Sequence, residues 1–292
     1  MNVVISMETW DIDDTLMLLF LLHYHLKGKV NIIAVEIDKG TLLQNNYVNY
    51  ILRKVEIEIP LFSRNIPEDN GEIPNYYYDF FENLERKELK LSSREELVDL
   101  LRGRKFKLLV GGSLNLIPFL LREGIYPEEI FIQGGFAGRN ITGETHKKFG
   151  NRVFNATFNF NKDLKSTEEF FRLKEKLNIP TYLISKNVNH LILVRYEEVL
   201  NMATETKPQE FYLDILRKYL KVCRREKSLH DVYAAVAMFK RDLFLWKEVK
   251  PVFREGKKFR EWGAVEAKSN TWITVKAKDE EVKNYVLFRK EF

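Results

Sequence analysis

The sequence predicts an α/β protein with a mostly parallel central sheet and helices on both faces, an open Rossmann-like sheet. Three observations predict it. Short runs rich in β-branched residues alternate with longer helical patterns. The strand runs are apolar throughout, as in parallel sheets covered on both sides. The polar constellations fall after Ile5, Ile37, Val110 and Ile132, at the carboxyl edge where such sheets bind ligands.

Taken in order, "NVVISM" reads as a buried strand and "DTLMLLFLLHYHLKG" as a helix ending near Gly28. "VNIIAVEI" is a second strand, followed by a helix over "TLLQNNYVNYILRKV" with Thr41 as its cap. "EIPLFS" is a short third strand. "SSREELVDLLRG" has a capping-box pattern, with Ser92 or Ser93 ahead of Glu95 and Glu96. Then come strand "FKLLVGG", helix "LNLIPFLLREG", strand "EEIFIQGG" and, later, strand "IPTYLIS".

The 292 residues carry no low-complexity linker and no internal repeat, so a single domain over residues 1–292 is expected. With 45% hydrophobic and 30% charged residues, the composition is that of a soluble globular protein. A lone cysteine, Cys223, excludes an intramolecular disulfide and a cysteine-cluster zinc site. No basic segment precedes an apolar one at the start, and the apolar run "LMLLFLL" is too short to span a bilayer. No membrane association is therefore expected, and the cytoplasm is the expected compartment. The basic runs "RGRKFK" and "REGKKFREW" read as solvated surface rather than a nucleic-acid footprint.

The chemistry concentrates in "METWDIDDTL", which holds Glu8, Asp11, Asp13 and Asp14. Carboxylates crowded at one strand end cannot all stay ionised near neutral pH without a cation. A hard divalent ion answers this with oxygen ligands. One of the acids could instead cap the following helix, since Asp13 and Asp14 sit at its start, but four are harder to explain that way. "DIDDTL" also fits a magnesium-dependent phosphohydrolase of haloacid-dehalogenase type, with Asp11 as nucleophile and Asp13 as acid/base. That reading needs a later strand-borne acidic pair, and "EEIFIQGG" ends in glycines instead.

The segment "ISMETWDIDDTLML" resembles the opening of the inosine–uridine-preferring nucleoside hydrolase family, where an acid precedes a paired "DD". "LLVGGSLNL" resembles that family's "GPLTN" turn. "IFIQGG", "GNRVFNATFNFNKD" and "LHDVYAAVA" follow in the family's order, so the resemblance runs from Val3 to about Met238. It implies calcium as cofactor and a nucleoside or related ribosyl compound as substrate. It also implies a homo-oligomer, dimer or tetramer. Asp14, Asp231 and the Val110 carbonyl would be metal ligands, and Asp13 would contact the ribose hydroxyls. Asn151 and Asn159 would bind the ribose, and His230 would serve the departing base.

Several positions depart from the family. Thr9 stands at the ungapped position of the first acid, and a one-residue gap brings Glu8 into register as metal ligand and base, with Asp11 the alternative. Thr157 replaces a ribose-contacting glutamate. Asp38 or Lys39 replaces an asparagine. A glycine-rich segment gives way to "NGEIPNYYYDFFENL", whose aromatics Tyr76, Tyr77, Tyr78, Phe80 and Phe81 could stack on a base or pack a helix on the core.

Of the other histidines, His23 and His25 point to different sides of a helix. His146 falls in a polar loop, and His190 near a strand end where a base could lie. "GGFAGRN" lacks the spacing of a dinucleotide site. Trp10 beside the acids would limit solvent there. The expected activity is thus calcium-dependent cleavage of an N-glycosidic bond. The phosphohydrolase and a non-catalytic ribosyl- or nucleic-acid-binding protein are the alternatives.

Overall fold

The computed structural model describes residues 1–66, 89–223 and 225–292. The aromatic segment Tyr76 to Phe81 lies outside the described residues. A nine-stranded, mostly parallel sheet with helices around it matches the expected class. The chain divides into two compact units, Met1–Phe106 with Val194–Lys227, and Lys107–Leu193 with Ser228–Phe292. No helix among the described residues is long and apolar enough to cross a membrane.

In the first unit, β1 (Asn2–Met7), β2 (Asn31–Ile37) and β3 (Leu61–Ser63) run parallel in that order. Helix α1 (Ile12–Leu26) connects β1 to β2 and is buried from Ile12 through Tyr24. An apolar helix without a polar face is stable only when enclosed. Here it packs against the helix Lys207–Val222. Helix α2 (Leu42–Val55) starts at Thr41, whose hydroxyl accepts from the Gln44 amide while the Gln44 side chain answers the cap's own N–H. Ser93, not Ser92, caps α3 (Arg94–Leu101) in the same reciprocal way with Glu96. The turn from β2 into α2 requires Gly40. Its φ is +65°, and a Cβ there would lie 2.2 Å from Ser63 Cβ.

In the second unit, β4 (Lys107–Val110), β5 (Glu129–Gln133) and β6 (Thr181–Ile184) are parallel. Three C-terminal strands that the sequence analysis does not predict extend this sheet. They are β7 (Phe244–Arg254), β8 (Glu261–Glu266) and β9 (Thr271–Ala277). Strand β9 pairs parallel to β6, and β7 lies antiparallel between β9 and β8. Pro251 sits inside β7, which hides the strand in the sequence. It is tolerated because β9 pairs only with Phe244 to Glu248, leaving Pro251 beside a single neighbour. The basic run "REGKKFREW" is the connection of this hairpin and its first strand residues, not an extended basic face.

Helix α4 (Leu116–Arg122) follows β4, and α5 (Phe158–Lys162) and α6 (Leu164–Leu177) precede β6. Lys174 of α6 is buried, and its ammonium donates to the carbonyls of Ser269 and Asn270 at 2.7 and 2.8 Å and to Thr271 Oγ1 at 2.5 Å. Helix α7 (His230–Phe239) is apolar and packs on β5.

Candidate active site

The acidic turn belongs to the first unit and connects β1 to α1. Asp11 is the N-cap of α1, with its Oδ1 accepting from the Ile12 amide at 2.7 Å. Asp14, three residues on, accepts from the backbone amides of Asp11 and Glu8, each at 3.3 Å. Its carboxylate thereby closes the turn on itself, so capping accounts for part of what Asp11 and Asp14 do. Glu8, Asp13 and Asp14 are buried, whereas Trp10 is 48% exposed. Asp38, after β2, is also buried, and its Oδ1 accepts from the Lys39 amide at 2.9 Å.

A lysine meets this turn. Lys227, the last residue of the short strand Glu226–Lys227, places Nζ 2.5 Å from Asp11 Oδ2 and 3.6 Å from Asp13 Oδ1. Nζ also lies 5.6 Å from the centre of the Tyr219 ring. Burial opposes the charge on Lys227, but the carboxylates of Asp13 and Asp11 outweigh it and hold the ammonium well above the usual lysine range. Asp14 moves the other way from its usual value. Burial and then the charge of Asp13 raise its pKa well above the ordinary carboxylate range.

A further buried acid, Glu36 on β2, was missed in the sequence. Ser6 Oγ donates to its Oε2 at 2.8 Å, and Arg94 Nε and Nη2 both donate to Oε1, the former at 2.7 Å. Burial raises the Glu36 pKa, the Arg94 charge lowers it, and the net direction is upward. A lone acid inside an apolar strand run is the signal that could have found it, since such a group needs a partner.

The second unit brings neutral polar groups together. Val110, whose carbonyl the sequence analysis singles out, is buried at the end of β4. Just beyond it, Gly111 O accepts from Asn159 Nδ2 at 2.8 Å. The same amide reaches Gln133 O at 3.0 Å and Gln133 Oε1 at 2.8 Å. Gln133 Nε2 in turn lies 3.4 Å from His230 Nδ1. The His230 ring stands edge-on to that of His190, centroids 4.8 Å apart. Lys148 Nζ lies 3.3 Å from His190 Nδ1, and His146 Nε2 lies 3.0 Å from the Asn187 carbonyl oxygen.

Asn159, His230 and Val110 thus fall at neighbouring strand and helix ends of one unit. Asp231 is buried in the first turn of α7. Thr157, at the N-cap position of α5, is 3% exposed, and its hydroxyl has no hydrogen-bond partner among the described residues. Asn151 differs from these. It is exposed in a turn, and its Oδ1 accepts from Thr145 Oγ1 at 2.6 Å. Gln133 and Lys227 were not singled out in the sequence. Lys227 lies 216 residues from Asp11, and no local pattern announces it.

In the first unit Asp13 and Asp14 are buried in one turn, and in the second unit Asp231 is buried as well. Carboxylate oxygens are the donors a hard divalent cation takes. The residues present fit such an ion.

No protein-family model matches the chain. A protein of Aquifex aeolicus (strain VF5), described as "Uncharacterized protein", is 62% identical over 292 residues, all of both chains. The chain belongs to one family with that protein. Among solved structures, a plant nucleoside hydrolase superposes with a TM-score of 0.73 at 13% identity, covering 99% of this chain and 98% of that one. A purine-preferring ribonucleoside hydrolase from Gardnerella vaginalis gives 0.69 at 14% identity, with the same coverage. The chain has the nucleoside hydrolase fold. The phosphohydrolase reading of "DIDDTL" is not favoured, and its nucleophile candidate, Asp11, is a helix cap paired with Lys227.

Proposed function

We propose that the protein hydrolyses the N-glycosidic bond of a ribonucleoside or related ribosyl compound, with calcium as its metal. The observation that carries this reading is the group of buried carboxylates, Glu8, Asp13 and Asp14, at the carboxyl end of β1 in a chain of nucleoside hydrolase fold. In this reading Asp14 and Asp231 hold the ion with the Val110 carbonyl and Glu8, and Asp13 takes the ribose hydroxyls. When bound, the ion supplies charge neutralisation and makes a neighbouring water more acidic. Glu8 accepts the proton of the attacking water, whose oxygen bonds to C1′ as the C1′–N bond breaks through an oxocarbenium-like transition state.

Asn159 and Thr157 orient the sugar, the buried Thr157 hydroxyl having a hydrogen bond to give. Asn151 is the outermost sugar contact. His230 delivers a proton to the leaving base. The working protein would be a dimer or tetramer in the cytoplasm.

The test is reducing-sugar release from purine and pyrimidine ribonucleosides, with calcium and with chelator, alongside Asp14→Ala. Calcium-dependent release is expected, lowered by at least about 10²–10³-fold in the variant. Release that persists in chelator or in Asp14→Ala would sink the proposal.

A further inference from the structure

The acidic turn carries a cation that no feature of the reaction above uses. Lys227 comes from the far end of the chain and is 10% exposed at its side chain. Its ammonium contacts Asp11 directly and faces Asp13 at a distance set by charge rather than by a hydrogen bond. We propose that Lys227 is a resident counter-cation of the acidic turn, holding Asp11 and Asp13 together without metal and setting how tightly the metal is held. This rests on the metal site proposed above.

Two effects of such a lysine on the metal oppose each other. It keeps the acids arranged, which favours binding. It also puts a positive charge beside a divalent cation, which disfavours binding. The second effect wins here, because Asp14 is already fixed by the Asp11 and Glu8 amides and Asp13 by burial in the first turn of α1. Little ordering is left for Lys227 to supply, and its charge remains. Removing it also takes the contacting cation away from the Asp11 carboxylate when no metal is present. Both consequences shift the balance towards the metal-bound form.

The experiment is calorimetric titration of the full chain with calcium alone, after chelator treatment, for the native protein, Lys227→Met, Lys227→Arg and Asp11→Asn. Lys227→Met is expected to bind calcium at least about tenfold more tightly. Its melting temperature should rise more on adding calcium than that of the native protein. Lys227→Arg keeps the charge and should stay within about threefold of native affinity. Asp11→Asn keeps the helix cap, since asparagine caps as well as aspartate. It removes one acid and leaves the lysine, so calcium should bind about three- to tenfold more weakly.

Opposite signs for Lys227→Met and Asp11→Asn support the proposal. Unchanged or weaker binding in Lys227→Met overturns it, as does tighter binding in Asp11→Asn, or no binding by either protein. If Lys227→Met does not fold, the sign in Asp11→Asn decides, because Asp11 is 45% exposed and its cap is preserved. Calcium affinity is read without turnover, so a failure of the hydrolase reading would appear separately, in the nucleoside panel.

Discussion

One polar region in each unit is built by different means. In the first, charges meet, with Asp11 and buried Asp13 against Lys227 and buried Glu36 against Arg94. In the second, around the ends of β4 and β5, neutral amides and imidazole meet, with buried Asn159 and half-buried Gln133 and His230 joined in one chain. The difference teaches what each region can tolerate. A buried ion pair cannot lose one partner without leaving an uncompensated charge. A neutral network loses hydrogen bonds one at a time. Charge changes should therefore damage the first unit more than loss of a neutral side chain damages the second, and pH should act on the first.

The largest effect should come from Arg94→Met. Arg94 is the partner cation of Glu36, and both are buried. Loss of about 3–5 kcal/mol is expected at neutral pH, measured by denaturant unfolding. The pH dependence has a definite sign. The Glu36 pKa lies above its usual value because of burial, and removing Arg94 removes a lowering influence. A carboxyl raised in the folded state contributes stability that is fully present below its unfolded pKa and lost as pH rises through the folded one. The variant should thus recover part of its loss between neutral pH and about pH 5. The double variant Glu36→Gln/Arg94→Met should lack that recovery. A recovery of equal size in both would mean that Glu36 is not its source.

Next in size is Asn159→Leu, which keeps the volume and removes the amide that ties Gly111 to Gln133. A loss of about 2–3 kcal/mol is expected, because buried carbonyl oxygens at two strand ends lose a donor. Between neutral pH and pH 5 the loss should stay constant, in contrast with Arg94→Met. A pH-dependent loss would place Asn159 in the ionic class and remove the distinction between the units.

These regions also differ in how far the sequence reveals them. The acidic turn was legible as a cluster because its four acids lie within seven residues, but its cap was not: Asp13 and Asp14 stand at the expected helix start, whereas Asp11 is the N-cap and Asp14 answers it. Thr41 and Ser93 were legible from local spacing. Lys227 was not, since its partner lies 216 residues away and only the folded chain brings the two together. Asn159 was found through its resemblance to a family motif, but its bonds to Gly111 and Gln133 depend on where three separate elements end. The strand β7 was obscured by Pro251, whose tolerance depends on which neighbour stops where. Local spacing can be read from a sequence. Long-range partners and strand edges arise only from the fold.

The smallest effect should come from Asn151→Ala, and it sharpens the comparison within the second unit. Asn151 and Asn159 both belong to the segment that resembles a ribose-binding motif, yet one is exposed in a turn and the other is buried. The amide oxygen of Asn151 already accepts from Thr145, an exposed pair whose loss should change stability by less than about 0.5 kcal/mol. If Asn151 reaches the sugar only from the rim, its removal should raise KM about threefold and leave kcat unchanged, the pattern of an interaction equal in ground and transition states. A matching fall in kcat would instead mean that the turn closes over the sugar during the reaction. Asn151 would then stand beside Asn159 among the groups that act on the transition state, and its exposure would describe only the protein without its substrate.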